Sequence, residues 1–490
     1  MPGPRHRVDP DGHRLPIKLD STSNGEFLPV PLSHANRYAN RLAQESAGRN
    51  AKRVGMGRRD FLLSTCGAAS TLLAFNAANA AAGRNGGYFD LPAVAATQPA
   101  AAASLETGEF IFDVQGHYVD PTQAWLKVAP ESAFQWAPKA GCALADGKSP
   151  RSHLACLSSE QFVKDVFLDS DTDMMVLSFV PSRRDASPLE IESADNVRRI
   201  VDRMEGNHRL LIHGRVNPNQ PGDIEDMPRL RDQFGICAWK CYTQWGPDGN
   251  GFYLDDEVGI RFVEEARRLG VKVICVHKGL PFGPKSYEHS QCRDIGPIAK
   301  RFPDVSFLVY HSGFVTEVEE KPYGPAADGI DTLIRSLEES GLRPGSNVYA
   351  ELGSTWRFLM RDPTQAAHGL GKLLKHVGPD NVLWGTDSIW YGSPQDQIQA
   401  FRAFQIAPEL REKHGYPEIT PELRAKIFGL NAMRPYGISA EEMKLRARRD
   451  TVSAERLAYR ARPEPHFLTN GPKTRREFLN LLGWNGGARA

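Results

Sequence analysis

The sequence predicts an α/β chain whose body is a (β/α)₈ TIM barrel, with an insertion after strand 1 and a C-terminal helical extension. Three observations predict it. From residue 109 onward, β-rich apolar runs alternate with amphipathic segments, as in parallel strands joined by crossover helices. Eight such runs can be counted, the number a closed barrel of this type needs. Ionisable side chains recur where the runs end, and that is the end at which such barrels place their chemistry. A doubly wound sheet is the competing arrangement, but no glycine-rich phosphate loop follows the first run.

Taken in order, residues 1–57 are polar, lean basic and lack sustained periodicity, so they are expected to be disordered. In GRRDFLLSTCGAASTLLAFNAANAAAG (57–83), Arg58 and Arg59 precede an Ala-rich apolar run that ends in small residues. This resembles a twin-arginine export signal (58–83), with Phe61 and Leu62 at further positions of the pattern and candidate cleavage after Ala80 or Ala82. The protein is therefore expected to be exported, periplasmic or extracellular; if the segment is only a surface helix with two arginines, it is cytoplasmic. The pair Arg475 and Arg476 copies the local pattern near the C-terminus, where no signal works, so the dipeptide alone is weak. Residues 84–108 read as a linker, 109–439 as the barrel and 440–490 as a helical tail.

The eight runs are 110–117, 174–181, 209–216, 236–243, 271–277, 305–311, 347–352 and 381–387. Between them lie helical segments such as DDEVGIRFVEEARRLG (255–270), where Ile260, Val263 and Ala266 share a face and Gly270 supplies the stop. The excursion 120–156, with Trp125, Pro130, Trp136 and Pro138, reads as a satellite core, with a lid over the barrel mouth as the alternative. In the tail, Phe478, Leu479, Leu481, Leu482 and Trp484 mark a docking helix, and a homodimer is a candidate assembly.

Lys plus Arg number 60 against 59 Asp plus Glu, so no global field collects phosphates, and nucleic acid is excluded as a partner. No apolar stretch reaches the roughly 18 uninterrupted residues of a spanning helix, which argues against a stable membrane anchor. The 7 cysteines form no Cys-x-x-Cys pair, and only Cys142 with Cys156 is a candidate disulfide.

The strand-end residues carry the chemistry. FIFDVQGHYVD (110–120) places Asp113, Gln115 and His117 on one face by the two-residue period. The fourth run carries Lys240, the fifth ends in His277, the sixth in His311, the seventh holds Glu351 and the eighth ends in Asp387, with Trp390 just beyond. A lone histidine at a strand end is more often hydrogen-bonded filler than a ligand. Several ionisable groups buried together are costly unless they pair or bind an ion, and a divalent cation answers that cost. His213 and Arg215 also lie near a strand end, where core or hydrogen-bonded roles are expected.

With FGLNAMRPYGIS (428–439) closing it, the stretch 109–439 resembles the amidohydrolase-related family, the group that includes aminocarboxymuconate-semialdehyde decarboxylase. The resemblance implies a metal site for one divalent ion, Zn or Mn, held by His117, His277 and Asp387, with Asp387 also the proton acceptor and His311 the catalytic or substrate-polarising histidine. Gln115 departs from the pattern: it stands where the family has the first histidine of a His-x-His pair, and an amide oxygen is a poorer zinc ligand than imidazole. It is therefore expected to be a weak ligand or to sit behind the ligands; a metal-independent site and a lapsed enzyme are the alternatives.

The function that follows is metal-dependent hydrolysis of a small carboxylated molecule, with Asp387 and His311 catalytic and Lys240, Glu351 and Trp390 facing the substrate. Non-oxidative decarboxylation of an aromatic or unsaturated acid is the rival chemistry. An exported barrel with only a binding role is the non-enzymatic alternative.

Overall fold

The computed structural model describes residues 11–122, 125–128, 150–204, 208–281, 287–447, 450–463 and 469–484. Eight parallel strands follow one another in chain order around a barrel: β2 (Phe112–Gly116), β3 (Met174–Leu177), β4 (Leu210–Arg215), β5 (Ala238–Tyr242), β6 (Val273–His277), β7 (Ser306–Tyr310), β8 (Val348–Glu351) and β9 (Val382–Leu383). The last strand returns to the first, because the Val114 N–H donates to Trp384 O at 3.1 Å and Gly116 bridges Ser388 in parallel. The interior is filled by alternate residues, among them Phe112, Val114, Met174, Val176, Cys275, Leu308, Tyr310 and Leu383. Tyr436, from the segment after the last strand, reaches the same cluster and packs on Phe112 with ring centroids 5.2 Å apart.

The predicted runs and the observed strands coincide in all eight cases, each strand being shorter by a few residues. The reason is physical: barrel strands are covered on both sides, so they read as continuous apolar runs.

The N-terminal region differs from expectation. Its described part, from residue 11, is folded onto the barrel rather than disordered. Leu15, Ile17 and Leu19 are buried along an extended segment, which is followed by a helix at His34–Arg53. Ser33 and Asn36 form a capping box at its start. Ala39, Ala43, Ala47 and Ala51 line its buried face and pack against a second helix, Thr65–Ala81. Small residues let the two axes approach closely but give little hydropathic contrast, and so the pattern escaped a periodicity reading. Arg58 and Arg59 are exposed at the start of a short helix, Arg58–Leu63, whose Phe61 and Leu62 are buried. Residues 84–108 are not a plain linker either. They include β1 (Gly87–Phe89), which pairs antiparallel with β10 (Phe404–Ile406), and a 3₁₀ helix, Pro99–Glu106, that buries Ala102 and Leu105.

Most of the excursion after the first barrel strand, including Pro130, Trp136, Pro138 and Cys142, lies outside the described residues. Trp125 is buried and donates its indole N–H to Asp120 O. Cys156 is disulfide-bonded, while Cys66, Cys237, Cys241, Cys275 and Cys292 are free thiols. Of the expected docking residues, Phe478 is buried against Tyr242 and Trp245, Leu479 is partly exposed, and the side chains of Leu481, Leu482 and Trp484 lie outside the description. No described helix is long and apolar enough to cross a membrane.

Candidate metal and catalytic site

At the carboxyl ends of the barrel strands the structure assembles two clusters of polar side chains, joined by an asparagine. Phe112 and Val114 point into the barrel, and a register shift between Asp113 and Gly116 then re-aims the end of β2, as a bulge does. Gln115 and His117 reach the mouth in consequence. Asp113 does not join them: its carboxylate is held by the Thr386 hydroxyl and by the backbone N–H groups of Gln115 and Thr386. Burial pushes its pKa up to about 7.

The first cluster centres on Asp387. One carboxylate oxygen accepts from Gln115 Nε2 at 3.0 Å and lies 3.1 Å from His117 Nε2. The other accepts from Asn24 Nδ2 and from Ser354 Oγ, each at 2.6 Å. Burial alone would raise the carboxyl, but the contact with His117 and the Ser354 hydroxyl outweigh it and hold Asp387 below the usual carboxylate range. It is thus an ionised carboxylate at neutral pH. Trp390 borders this cluster, its ring 6.0 Å from that of His117.

The second cluster is Glu26, His277 and His311, whose ligating atoms all lie within 4.8 Å of one another. His311 Nδ1 is 2.6 Å from Gly353 O, and His277 Nε2 is 3.3 Å from Leu280 O. Carbonyl oxygens only accept, so these nitrogens carry the ring protons and the opposite nitrogens present lone pairs. Those lone pairs face one carboxylate: His277 Nδ1 is 3.3 Å from one Glu26 oxygen and His311 Nε2 is 3.3 Å from the other. Burial holds both imidazoles neutral, driving His277 well down and His311 to about 4. Burial and the nearby Asp387 charge push Glu26 well above the usual range. Lone pairs turned on a carboxylate want a proton or a cation between them. Metal–ligand bonds of about 2.0–2.1 Å at tetrahedral angles separate ligand atoms by about 3.3 Å. The donor set therefore fits a divalent ion, and the ring N–H bonds to carbonyls are the outer contacts that metal-binding histidines ordinarily make.

Asn24 connects the clusters, donating through Nδ2 to both Glu26 and Asp387. Below them, Lys240 Nζ is buried, makes no hydrogen bond to any described residue, and sits 3.8 Å from the Tyr310 ring centroid. Glu351 accepts from the backbone N–H groups of His311 and Gly353, and burial raises its pKa to about 8.

The expected set of His117, His277, Asp387 and Gln115 is thus divided. His117, Gln115 and Asp387 bond one another, and His277 stands with His311 instead. His213 and Arg215 take the expected hydrogen-bonded roles, His213 beside Ser178 at 3.1 Å and Arg215 on Ser182 O. Sequence reasoning missed Glu26, Asn24 and Ser354. The signals for the first two were the alternation Leu15, Ile17, Leu19, which marks a half-buried extended segment, and the Asn24-Gly25 turn, where Gly25 has φ +93°. A cavity of about 810 Å³ lies elsewhere, between Lys18, Leu62, Arg402 and Arg460. Asn24 and Glu26 occupy the mouth, and the C-terminal segment is tied down beside it, where the Asn470 and Gly471 N–H groups bond Trp390 O.

A closed (β/α)₈ barrel with imidazoles and carboxylates gathered at its strand ends defines a class of barrel hydrolases and lyases. A family model described as amidohydrolase matches residues 165–438, and the chain belongs to the amidohydrolase family. No curated protein matches it in sequence. Among solved structures it is similar to 5-carboxyvanillate decarboxylase from Sphingomonas paucimobilis, at 14% identity over 67% of this chain and 99% of that one, with a TM-score of 0.41. An amidohydrolase from Mycobacterium avium subsp. paratuberculosis matches at 14% identity over 68% of this chain and 100% of that one, with a TM-score of 0.36. Likenesses at that level carry no argument about activity.

Proposed function

We propose that the protein is a metal-dependent hydrolase acting on a small carboxylated substrate. One observation supports this above the others: two neutral imidazoles turn their lone pairs on the Glu26 carboxylate at 3.3 Å each, beside the ionised Asp387. Glu26, His277 and His311 would hold the ion. When bound, such an ion supplies Lewis-acid polarisation and brings the pKa of water from about 15.7 toward 7.

The remaining work belongs to side chains of this chain. Asp387 accepts the proton of the attacking water, and its contact with His117 orients it and offers that proton an onward route. Lys240, a buried ammonium without a hydrogen-bond partner among the described residues, supplies the counter-charge for a substrate carboxylate. Glu351 fixes the His311 backbone, and through it the imidazole. Substrate entry requires the C-terminal segment beside Trp390 to part from the mouth, and its return then excludes water. Export through a twin-arginine-type pathway is part of the proposal, supported by the exposed Arg58–Arg59 pair ahead of the Ala-rich helix.

The test is a panel of carboxylated esters, lactones, amides and aromatic acids, assayed with Zn²⁺ or Mn²⁺ for both hydrolysis and CO₂ release. Hydrolysis that needs the ion supports the proposal. CO₂ release without hydrolysis overturns it in favour of decarboxylation, and no turnover together with no metal uptake overturns it in favour of a binding role.

A further inference from the structure

Glu26 comes from no barrel strand. It is delivered by the extended segment 15–27, which is fastened along its length. Lys18 lies 3.7 Å from Asp396 and donates to Tyr391 O. Asp20 accepts from Arg357 at 2.6 Å and from the Thr469 hydroxyl at 2.6 Å. The Thr22 hydroxyl donates to Thr469, and the Ser23 N–H donates to Pro472 O. All of these residues of the segment are buried, and their polar groups are matched by partners hundreds of positions away. A strap that comes and goes would keep its charges at the surface; this segment commits them to the interior.

The strands, for their part, leave the donor set short. Gln115 turns its amide nitrogen to Asp387, and its Oε1 is buried with no hydrogen-bond partner among the described residues. We propose that the N-terminal segment is a permanent part of the working protein, retained rather than removed as a leader, and that Glu26 is the carboxylate ligand completing the metal site where the first barrel strand carries Gln115 in place of an imidazole. Cleavage after Ala80 or Ala82 would take away Glu26 and Asn24, and with them Lys18 and Asp20, the ion-pair partners of Asp396 and Arg357. This rests on the reading of the mouth as a metal site.

The experiment measures Zn²⁺ affinity of the full chain by competition with a chromophoric chelator, and the visible absorption of the Co²⁺-loaded protein, for wild type, Glu26→Gln and Glu26→Ala. Loss of an outer-shell contact costs about 10–100-fold in affinity, so loss of a ligand should weaken Zn²⁺ binding by about 100-fold or more and alter the Co²⁺ bands. Melting of the metal-free proteins, expected within a few degrees of one another, shows that the variants fold. The intact mass of protein recovered from a secreting bacterium should include residues 1–80. Zn²⁺ affinity in either folded variant equal to wild type overturns the proposal, as does a mature chain beginning at residue 81 or 83. Benzoate binding to Glu26→Ala with undiminished Zn²⁺ affinity also overturns it, because Glu26 would then be a stand-in for substrate. Glu26-dependent Zn²⁺ binding without any hydrolysis supports this inference and sinks the functional reading instead.

Discussion

Asp20→Asn tests how firmly the N-terminal segment is bound to the barrel. Asp20 and Arg357 are buried side by side, with 1% and 4% of their side chains exposed. The Arg357 guanidinium also donates to Lys18 O, so it cannot swing out to water without dragging the segment. The substitution keeps the shape and one acceptor but removes the charge. Breaking a buried pair from one side costs about 3–5 kcal/mol, since the partner stays behind unpaired. An unfolding entropy of roughly 1 kcal/mol/K for a chain this long converts that to a melting point about 3–5 °C lower at pH 7. The pH dependence carries a sign. Burial raises the Asp20 carboxyl, but His13, Arg357 and Lys473 outweigh it and hold it below the usual range; His13 is 41% exposed, so most of this falls to Arg357. A depressed folded-state pKa gives stability that is complete above the unfolded value of about 3.9 and is lost as pH falls through the folded one. The gap between wild type and variant should therefore be constant from about pH 5 to 8 and close in stronger acid. Calorimetry at pH 7 and pH 3 reads it. The double variant Asp20→Asn with Arg357→Met should lose less than Asp20→Asn alone, because no buried charge is left over. A shift under about 1 °C at pH 7, or a gap that widens in acid, would refute the reasoning.

Asp387→Asn should lower kcat by about 10²–10⁴-fold on any hydrolysed substrate while leaving the fold intact, as circular dichroism would show. Lys240→Met removes a buried ammonium and should raise the melting point while weakening carboxylated substrates by about 30-fold, or about 2 kcal/mol; binding of neutral analogues, compared by KM, should be unchanged. Stripping metal with a chelator should abolish turnover and lower thermal stability, and Zn²⁺ at 100 times its Kd should restore about 2.7 kcal/mol, read as a shift in melting point. Gly353→Ala would set a Cβ 2.3 Å from Gln115 Oε1 and 2.5 Å from Glu351 Oε1, so a loss of about 1–3 kcal/mol and a displaced His311 are expected in denaturation and Zn²⁺-binding measurements.

The barrel was legible because its strands obey a local rule, apolar runs that stop at a polar residue, and the stops at His277, His311 and Asp387 mark the mouth without any knowledge of what faces them. What a linear reading could not give was the pairing between clusters. That His277 joins His311 rather than His117 depends on strand order, on ring tautomers set by Leu280 O and Gly353 O, and on a register shift in β2. Glu26 was hidden for another reason. It sits in a polar stretch with little hydropathic contrast, and its placement depends on partners such as Asp396, 378 positions from Lys18. Composition read that stretch as disordered because the partners that satisfy its charges are invisible from within the window.

The backbone bears on whether the mouth still serves chemistry. His311, Ser354 and Asp387 have φ of 65°, 55° and 60°, in the left-handed region that side chains with a Cβ avoid. Such conformations cost of order 1–3 kcal/mol each and persist only where surrounding bonds over-determine them. Here they do: His311 is held by Glu351 and Gly353, and Ser354 and Asp387 hold each other. A barrel retained only as a scaffold gains nothing from this strain and would be more stable with glycine at these positions. Strain collected at the ends of three successive strands, on the residues that carry the imidazole, the hydroxyl and the carboxylate, is what a site selected for the placement of those groups shows, and it weighs against a lapsed enzyme.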